Sequence, residues 1–468
     1  MSTGKMLCYT LPGITSILIF QGILNMVQFY AVSVLLIPWS FVSIVFLIYS
    51  INNGLNDPFI GYLCDRSKRF TRKYGKRFPW ICTGAILSPI MILLIFVPVT
   101  NIRVDAGGNV LNMDAAIIAS VWLCVILCIQ ETFGTVRTVN GNALGVDLFR
   151  DAKQRAKIGG ISTIMSITGM LIATGFLPVI LALFGGANDR NAYLYMVIVI
   201  VFFTFLLTIP YLWAVREPDE MKKFRAELDE MGKSSSPFLK MIPRILTDKN
   251  WMAIIIAYLG WSTAMTCTFT GINFYVMHAL GLGVQYTIVP LLLASLIAIC
   301  SAPIWIKLSK KIGTRKTYLI GLIIACPPYF AFYFLDDFTG GVICFALGGF
   351  GYGANNTLFG VVSAQAIDKA SIKTGLREEA SYQGIFLVFS AFSRFFQTII
   401  FTLVAIATGY VASLGANQTP LAKWGLNFQM SLAPLIILAI GTIVYALLYD
   451  ISDEQARLNK EKLIDMGL

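Results

Sequence analysis

The segment Asn53-Gly54-Leu55-Asn56-Asp57-Pro58-Phe59-Ile60-Gly61 sets a carboxylate inside an otherwise apolar stretch. An acid at the centre of a membrane-spanning helix costs roughly 2.5 to 3.5 kcal/mol, so it lines a cavity or binds a cation; the bland alternatives are a helix cap or a polar bond between helices. Gly54 thins such a helix and Pro58 removes a backbone hydrogen bond, which lets nearby carbonyls turn toward an ion. A later stretch puts Glu131, Thr135 and Thr138 on one stripe by their i, i+4, i+7 spacing. Beside it, Gln130, Gly134, Arg137 and Gly141 form a second stripe whose glycines leave room next to the guanidinium and suggest a water-filled cavity. Arg137 and Arg394 both fall in apolar segments. Each needs a partner there, either Glu131 and Asp57 or an anionic ligand. Further on, Gly348, Gly349, Gly351 and Gly353 loosen a helix ahead of Asn355-Asn356, whose amides can bond hydroxyl groups; close packing of helices explains those glycines equally well. Trp261, Asn273, Tyr275, Gln383 and Gln397 are weaker candidates of the same kind. With a single histidine, His278, histidine-ligated metals and histidine-dependent triads are disfavoured, and no enzyme is indicated.

Positioning these groups requires membrane helices. The chain has 468 residues, 57% hydrophobic and only 13% charged, where a soluble domain carries about a quarter charged residues. Apolar runs fall at 8–35, 38–64, 78–100, 114–144, 158–184, 192–214, 251–277, 284–306, 317–335, 341–366, 380–413 and 425–449. Each is long enough to cross a hydrocarbon core about 30 Å thick. The nine cysteines lie without metal-site spacing and read as small core residues rather than a disulfide framework. Of 36 Lys and Arg residues, 31 fall in segments that alternate onto one side, against Arg103, Arg190 and Lys423 on the other, which makes both termini cytoplasmic. The net charge of +11 is then a topological signature, and no nucleic-acid partner is implied. Trp80, Trp213, Trp251 and Trp424 stand at span ends and read as interfacial anchors.

The expected architecture is an all-α membrane protein of twelve transmembrane helices: an N-terminal six-helix half over 1–214, a cytoplasmic linker over 215–250, a C-terminal half over 251–449 and a cytoplasmic tail over 450–468. The linker reads as a solvated helix, with Asp219 and Lys223 at helical spacing, followed by an amphipathic piece at the membrane surface. An internal repeat supports the division. The loop Asp65-Arg66-Ser67-Lys68-Arg69 to Tyr74-Gly75-Lys76-Arg77 is echoed by Lys307 to Lys316, with Gly313 about half a chain after Gly75. Two related halves are what parallel-repeat transporters show, with the substrate near the midplane between them.

These features resemble the major facilitator superfamily, whose loop 2-3 motif begins as Gly61-Tyr62-Leu63-Cys64-Asp65-Arg66 does. Asn56-Asp57-Pro58-x-x-Gly61, followed by Arg66, Arg69, Arg72, Gly75 and Lys76-Arg77-Phe78-Pro79-Trp80, is similar to the glycoside-pentoside-hexuronide:cation symporters of the melibiose-permease type. Asp147 to Arg155, and Asp368, Thr374-Gly375-x-Arg377-x-Glu379 and Tyr382, resemble that family's loops 4-5 and 10-11. The resemblance implies a cation site with Asn56 and Asp57 as ligands and Thr135 as a third. Asn53 stands where the family has a second carboxylate, which puts sodium coupling in doubt; Glu131 is the candidate to replace that acid. On the sugar-binding face Thr138 replaces an acid, Asn142 an aromatic residue, Thr163 an arginine and Ser390 a lysine, so a melibiose-like galactoside is not supported.

The function expected is secondary active transport in the plasma (cytoplasmic) membrane. A monomer would carry a sugar or sugar acid together with a monovalent cation, Na+ or H+, by alternating access, with membrane lipid around it and no cofactor. Arg137 and Arg394 are expected to flank an anionic substrate from opposite halves. The alternative is a cation-coupled lysolipid transporter of the same fold.

Overall fold

The computed structural model describes residues 3–66, 71–97, 99–105, 110–149, 152–220, 222, 242–335, 337–374 and 379–465. Linker residues 223–241, with Lys223, and the motif residues Arg69, Gly375 and Arg377 lie outside them.

Twelve long helices follow one another among the described residues. They are α1 (Thr3–Val34), α2 (Trp39–Arg66), α3 (Phe78–Ile95), α4 (Met113–Leu148), α5 (Lys157–Leu183) and α6 (Arg190–Ala214), then α7 (Lys249–Ala279), α8 (Val284–Ile312), α9 (Thr314–Phe334), α10 (Phe338–Thr374), α11 (Glu379–Thr408) and α12 (Pro420–Leu448). A helix, α13 (Asp453–Asp465), follows them. Helices prevail because a backbone in hydrocarbon must satisfy its own N–H and C=O groups. Ten of the twelve are both long and apolar enough to span a bilayer; α2 and α10 are long enough but diluted by the polar residues noted above, Asn53, Asn56 and Asp57 in one and Asn355 and Asn356 in the other.

The chain forms two compact units, Met1–Ser236 and Pro237–Leu468. In the first, α3 and α4 pack at Gly84, where a Cβ would stand 2.5 Å from the Phe133 carbonyl oxygen. Tyr30, Phe96 and Tyr193 form a buried aromatic cluster between α1, the end of α3 and α6. In the second, α7 meets α12 at Gly260, whose Cβ would stand 2.8 Å from the Ile437 carbonyl oxygen. Its core runs from Trp251 and Ile254 through Tyr318 and Leu322 to Tyr445 and Tyr449. Asp189, Asp248 and Thr419 accept hydrogen bonds from the first free N–H groups of α6, α7 and α12.

The repeat read from the two basic loops has a structural counterpart. Gly75 turns with φ 98° before α3, and Glu217, just beyond α6, accepts through Oε1 from Arg77 N (2.7 Å) and Phe78 N (3.2 Å). Gly313 turns with φ 94° before α9, and Asp453, just beyond α12, accepts from Thr314 N at 2.7 Å. Positive φ and carboxylates pressed against both glycines leave no room for a side chain at either turn. Nearby, Asp450 bridges Lys249 (2.6 Å) and Lys369 (2.7 Å), tying α7, α10 and the end of α12 together. Burial pushes the Asp450 carboxyl up, but the hydrogen bonds from Lys249 and Lys369 outweigh it and hold the group well below the usual carboxylate range.

Two expectations are corrected. Helix α10 runs to Thr374 rather than ending near 366, and α4 to Leu148 rather than 144, because a helix continues through polar residues once it leaves the hydrocarbon. Trp251 is fully buried and packs edge-on against Tyr382 at 5.0 Å, so it is a core residue; Trp213 and Trp424 are exposed.

Candidate functional site

Within the first unit, α2 and α4 lie against each other and carry the predicted cation ligands on their facing sides. Asn52 Nδ2 donates to the Cys128 carbonyl at 3.3 Å, and Tyr49 Oη donates to Glu131 Oε2 at 2.8 Å. The Thr135 hydroxyl lies close enough to the Asp57 carboxylate to act on it. The pair that the sequence could connect only by resemblance is therefore brought together, with Asp57 half-buried and Thr135 buried. Asn56 is 6% exposed, and its Nδ2 has no hydrogen-bond partner among the described residues. An unmade buried donor costs about 1–3 kcal/mol. A polar guest would relieve it, and the same amide turned over about χ2 presents Oδ1 to a cation. Asn53, half-buried, sits one turn before Asp57. The face offers oxygen donors only from hard groups, carboxylate, amide carbonyl and hydroxyl, which suit an alkali cation or a proton.

Arg137 is deeply buried, and its described partners are hydroxyls: Nη1 donates to Thr15 Oγ1 at 3.3 Å and Nη2 to Ser16 Oγ at 2.7 Å, while Nε has none. Among the described residues no carboxylate forms an ion pair with it, and Glu131 is engaged by Tyr49 instead. Its neighbours on the stripe serve different ends. Gln130 reaches Ser88 Oγ at 3.5 Å, Gly134 faces that serine and Gln130, and Gly141 lies against the Tyr211 hydroxyl while its carbonyl accepts from Tyr9 Oη at 2.8 Å. Thr138, Asn142 and Thr163 are exposed on the same unit, and Thr163 Oγ1 donates to the Gly159 carbonyl of its own helix.

In the second unit Asn355 is buried and accepts from Tyr318 Oη at 2.7 Å, whereas Asn356 is exposed and hydrogen-bonded to Tyr352. Asn355 is thus held by a neighbouring helix. Arg394 is buried, and its carbonyl accepts from Thr398 Oγ1; Ser390, half-buried, donates to the Leu387 carbonyl. Of the glycines in α10, Gly349, Gly351 and Gly353 press against Ala294, Ala325 and Ala298, so packing accounts for them; Gly348 alone of the four has no atom nearer than Pro328 Cβ at 3.9 Å.

Three sets of residues carried no recognisable signal: Tyr49, which holds Glu131; Thr15 and Ser16, which hold Arg137; and Tyr352, which stacks at 5.4 Å on Trp261, itself one of the weaker candidates. Tyr49 and Tyr352 read as apolar core in sequence, and the hydroxyls lie more than a hundred residues from their arginine.

Twelve membrane-length helices in two units, with ionisable groups on inner helix faces, define a secondary-transporter fold. The sequence matches the MFS/sugar transport protein family over residues 8–453, and the chain belongs to that family, the glycoside-pentoside-hexuronide:cation symporter type of the major facilitator superfamily. It is 22% identical to the isoprimeverose transporter of Lactiplantibacillus pentosus, over 96% of this chain and 91% of that protein. It is 21% identical to the sodium-dependent lysophosphatidylcholine symporter 1-B of Danio rerio, over 99% and 90%. In three dimensions it is similar to the nucleoside transporter NupG, with a TM-score of 0.65 at 13% identity, covering 96% of this chain and all of that one.

Proposed function

We propose that this protein takes up a glycoside, pentoside or hexuronide together with Na+ or H+ by alternating access, and that Asp57 is the coupling acid. The observation that carries the reading is the close approach of Asp57 on α2 to Thr135 on α4, beside the orphaned amide of Asn56. A cation there lowers the cost of carrying a carboxylate through a conformational change, which couples the two solutes energetically. Asn53 and Glu131 complete the cation site. Thr138, Asn142, Thr163, Asn355, Asn356 and Ser390 are the substrate-side residues carried from the sequence; of these, Thr138, Asn142, Thr163 and Asn356 are exposed. The buried Arg137, whose partners among the described residues are hydroxyls, supports a preference for an anionic sugar, and Arg394 is assigned the same role.

On this reading the protein is a monomeric, multi-pass carrier of the plasma membrane with both termini in the cytoplasm, and it carries out no catalysis. The similarity to a lysophosphatidylcholine symporter favours one alternative, transport of a lysolipid by the same cation site. A thermal-shift screen of the purified protein against uronides, neutral glycosides and lysolipids, each with and without sodium, separates them. Stabilisation by a sugar acid supports the proposal, and stabilisation by lysolipids alone replaces it.

A further inference from the structure

Between α7, α8, α9, α10 and α12 of the second unit lies a pocket. Its wall is apolar and aromatic, with Trp261, Met265, Phe269, Pro328, Phe345 and Tyr352 among its residues. The hydroxyls in the wall are already spoken for. Thr268 Oγ1 donates to the Ala264 carbonyl at 2.9 Å and lies 3.1 Å from Tyr329 Oη, which also contacts Met265 Sδ at 3.8 Å. One polar group stands apart: Trp261 is 7% exposed, and its Nε1–H has no hydrogen-bond partner among the described residues. A sugar bound here would bury its hydroxyls against carbon without partners, so the pocket does not suit the proposed substrate.

We infer that this pocket binds a single aliphatic chain of a membrane amphiphile, with an oxygen of its polar end accepting from Trp261 Nε1. The chain would supply apolar surface matched to the wall, and Met265 and Met430 would adapt to its shape. The bilayer is the source. The helices around the pocket turn apolar side chains outward, Phe330 and Phe334 on α9, Leu347 on α10 and Ile436 and Ile440 on α12, which places lipid immediately beside it. Two helix irregularities adjoin the pocket: Pro327 and Pro328 within α9, and the interruption of α12 between Phe428 and Leu432, at Met430. Proline removes a backbone hydrogen bond and loosens the helix where it falls, which provides a route for a chain to enter from the side.

The test uses the full-length protein in nanodiscs and two photoactivatable probes, palmitic acid and a palmitoyl lysophospholipid, each with a diazirine in the chain. Mass spectrometry should locate crosslinks on Met265, Phe345 or Met430, and excess unlabelled palmitate should remove them while isoprimeverose does not. Equal labelling by both probes shows that the chain is the recognised part; labelling by the lysophospholipid alone overturns a site for the chain itself. Gly348→Leu fills the pocket from its wall, since a Cβ there meets only Pro328 Cβ at 3.9 Å, and should cut labelling at least tenfold. Trp261→Phe keeps the ring and should weaken probe binding about fivefold. Crosslinks spread over outward residues such as Phe330 and Ile436 and unaffected by palmitate, or displacement by the sugar, would overturn the inference. Competition on the unmodified protein decides the matter even if a variant folds poorly.

Discussion

Tyr49 and Glu131 meet across the α2–α4 contact, where the phenol donates a 2.8 Å hydrogen bond to Glu131 Oε2. The bond orients Glu131 on the face that also holds Asp57 and Thr135, while Arg137, six residues on along the same helix, points to a different face and meets Thr15 and Ser16. Tyr49→Phe removes the donor and keeps the ring. If Glu131 serves the cation site, the apparent affinity for the coupling cation falls about tenfold, the effect of one lost hydrogen bond to a charged group. The sodium and proton dependence of uptake in proteoliposomes measures it; an unchanged dependence removes Glu131 from the site.

Arg137→Lys and Arg394→Lys keep a charge but lose the planar fork. An anionic sugar should then bind at least tenfold more weakly while its neutral analogue changes little. Direct binding of a charged and neutral pair of ligands to each variant decides it, and equal losses for both classes make the arginines structural.

Both ends of the chain and the linker are expected in the cytoplasm. A single cysteine placed at Ser235, in an otherwise cysteine-free protein, should resist an impermeant thiol reagent in intact cells and react after permeabilisation. Labelling from outside would reverse the topology.

Asp450 has its folded-state pKa depressed, so its bridge to Lys249 and Lys369 contributes stability above the unfolded value, near 3.9, and loses that contribution as pH falls through the folded value. The carboxylate is 41% exposed, so solvent screening keeps the bridge's worth to about 1 kcal/mol or less. Asp450→Asn should lower the melting temperature slightly at pH 7, and the gap should narrow as the pH is taken below about 4. A gap that widens on acidification would contradict the assignment.

The spans were legible because about twenty apolar residues in a row leave a chain one stable option in a bilayer. Their ends were not, since nothing in the sequence of α10 distinguishes a helix emerging from the membrane at Asp368 and Lys369 from a loop beginning there. Trp251 shows the same limit, as a tryptophan at a span end can face lipid or the core. The acid on α2 was legible as an acid out of place; its approach to Thr135 depended on two helices 78 positions apart in sequence, which only the resemblance connected. The partners of Arg137 come from α1 and left no mark, because a threonine and a serine in an apolar helix most often bond their own backbone. Glu217 and Asp453 did leave one: each is an acid just past the last helix of its half, at nearly the same offset from Gly75 and Gly313.

The coupling role of Asp57 is tested most directly by Asp57→Asn, which removes the charge at nearly constant volume. Reconstituted protein is loaded with substrate for counterflow exchange and, separately, given an inward sodium or proton gradient. The account predicts that gradient-driven accumulation is lost while exchange continues. Concentrative uptake at the unmodified level in the variant would contradict it.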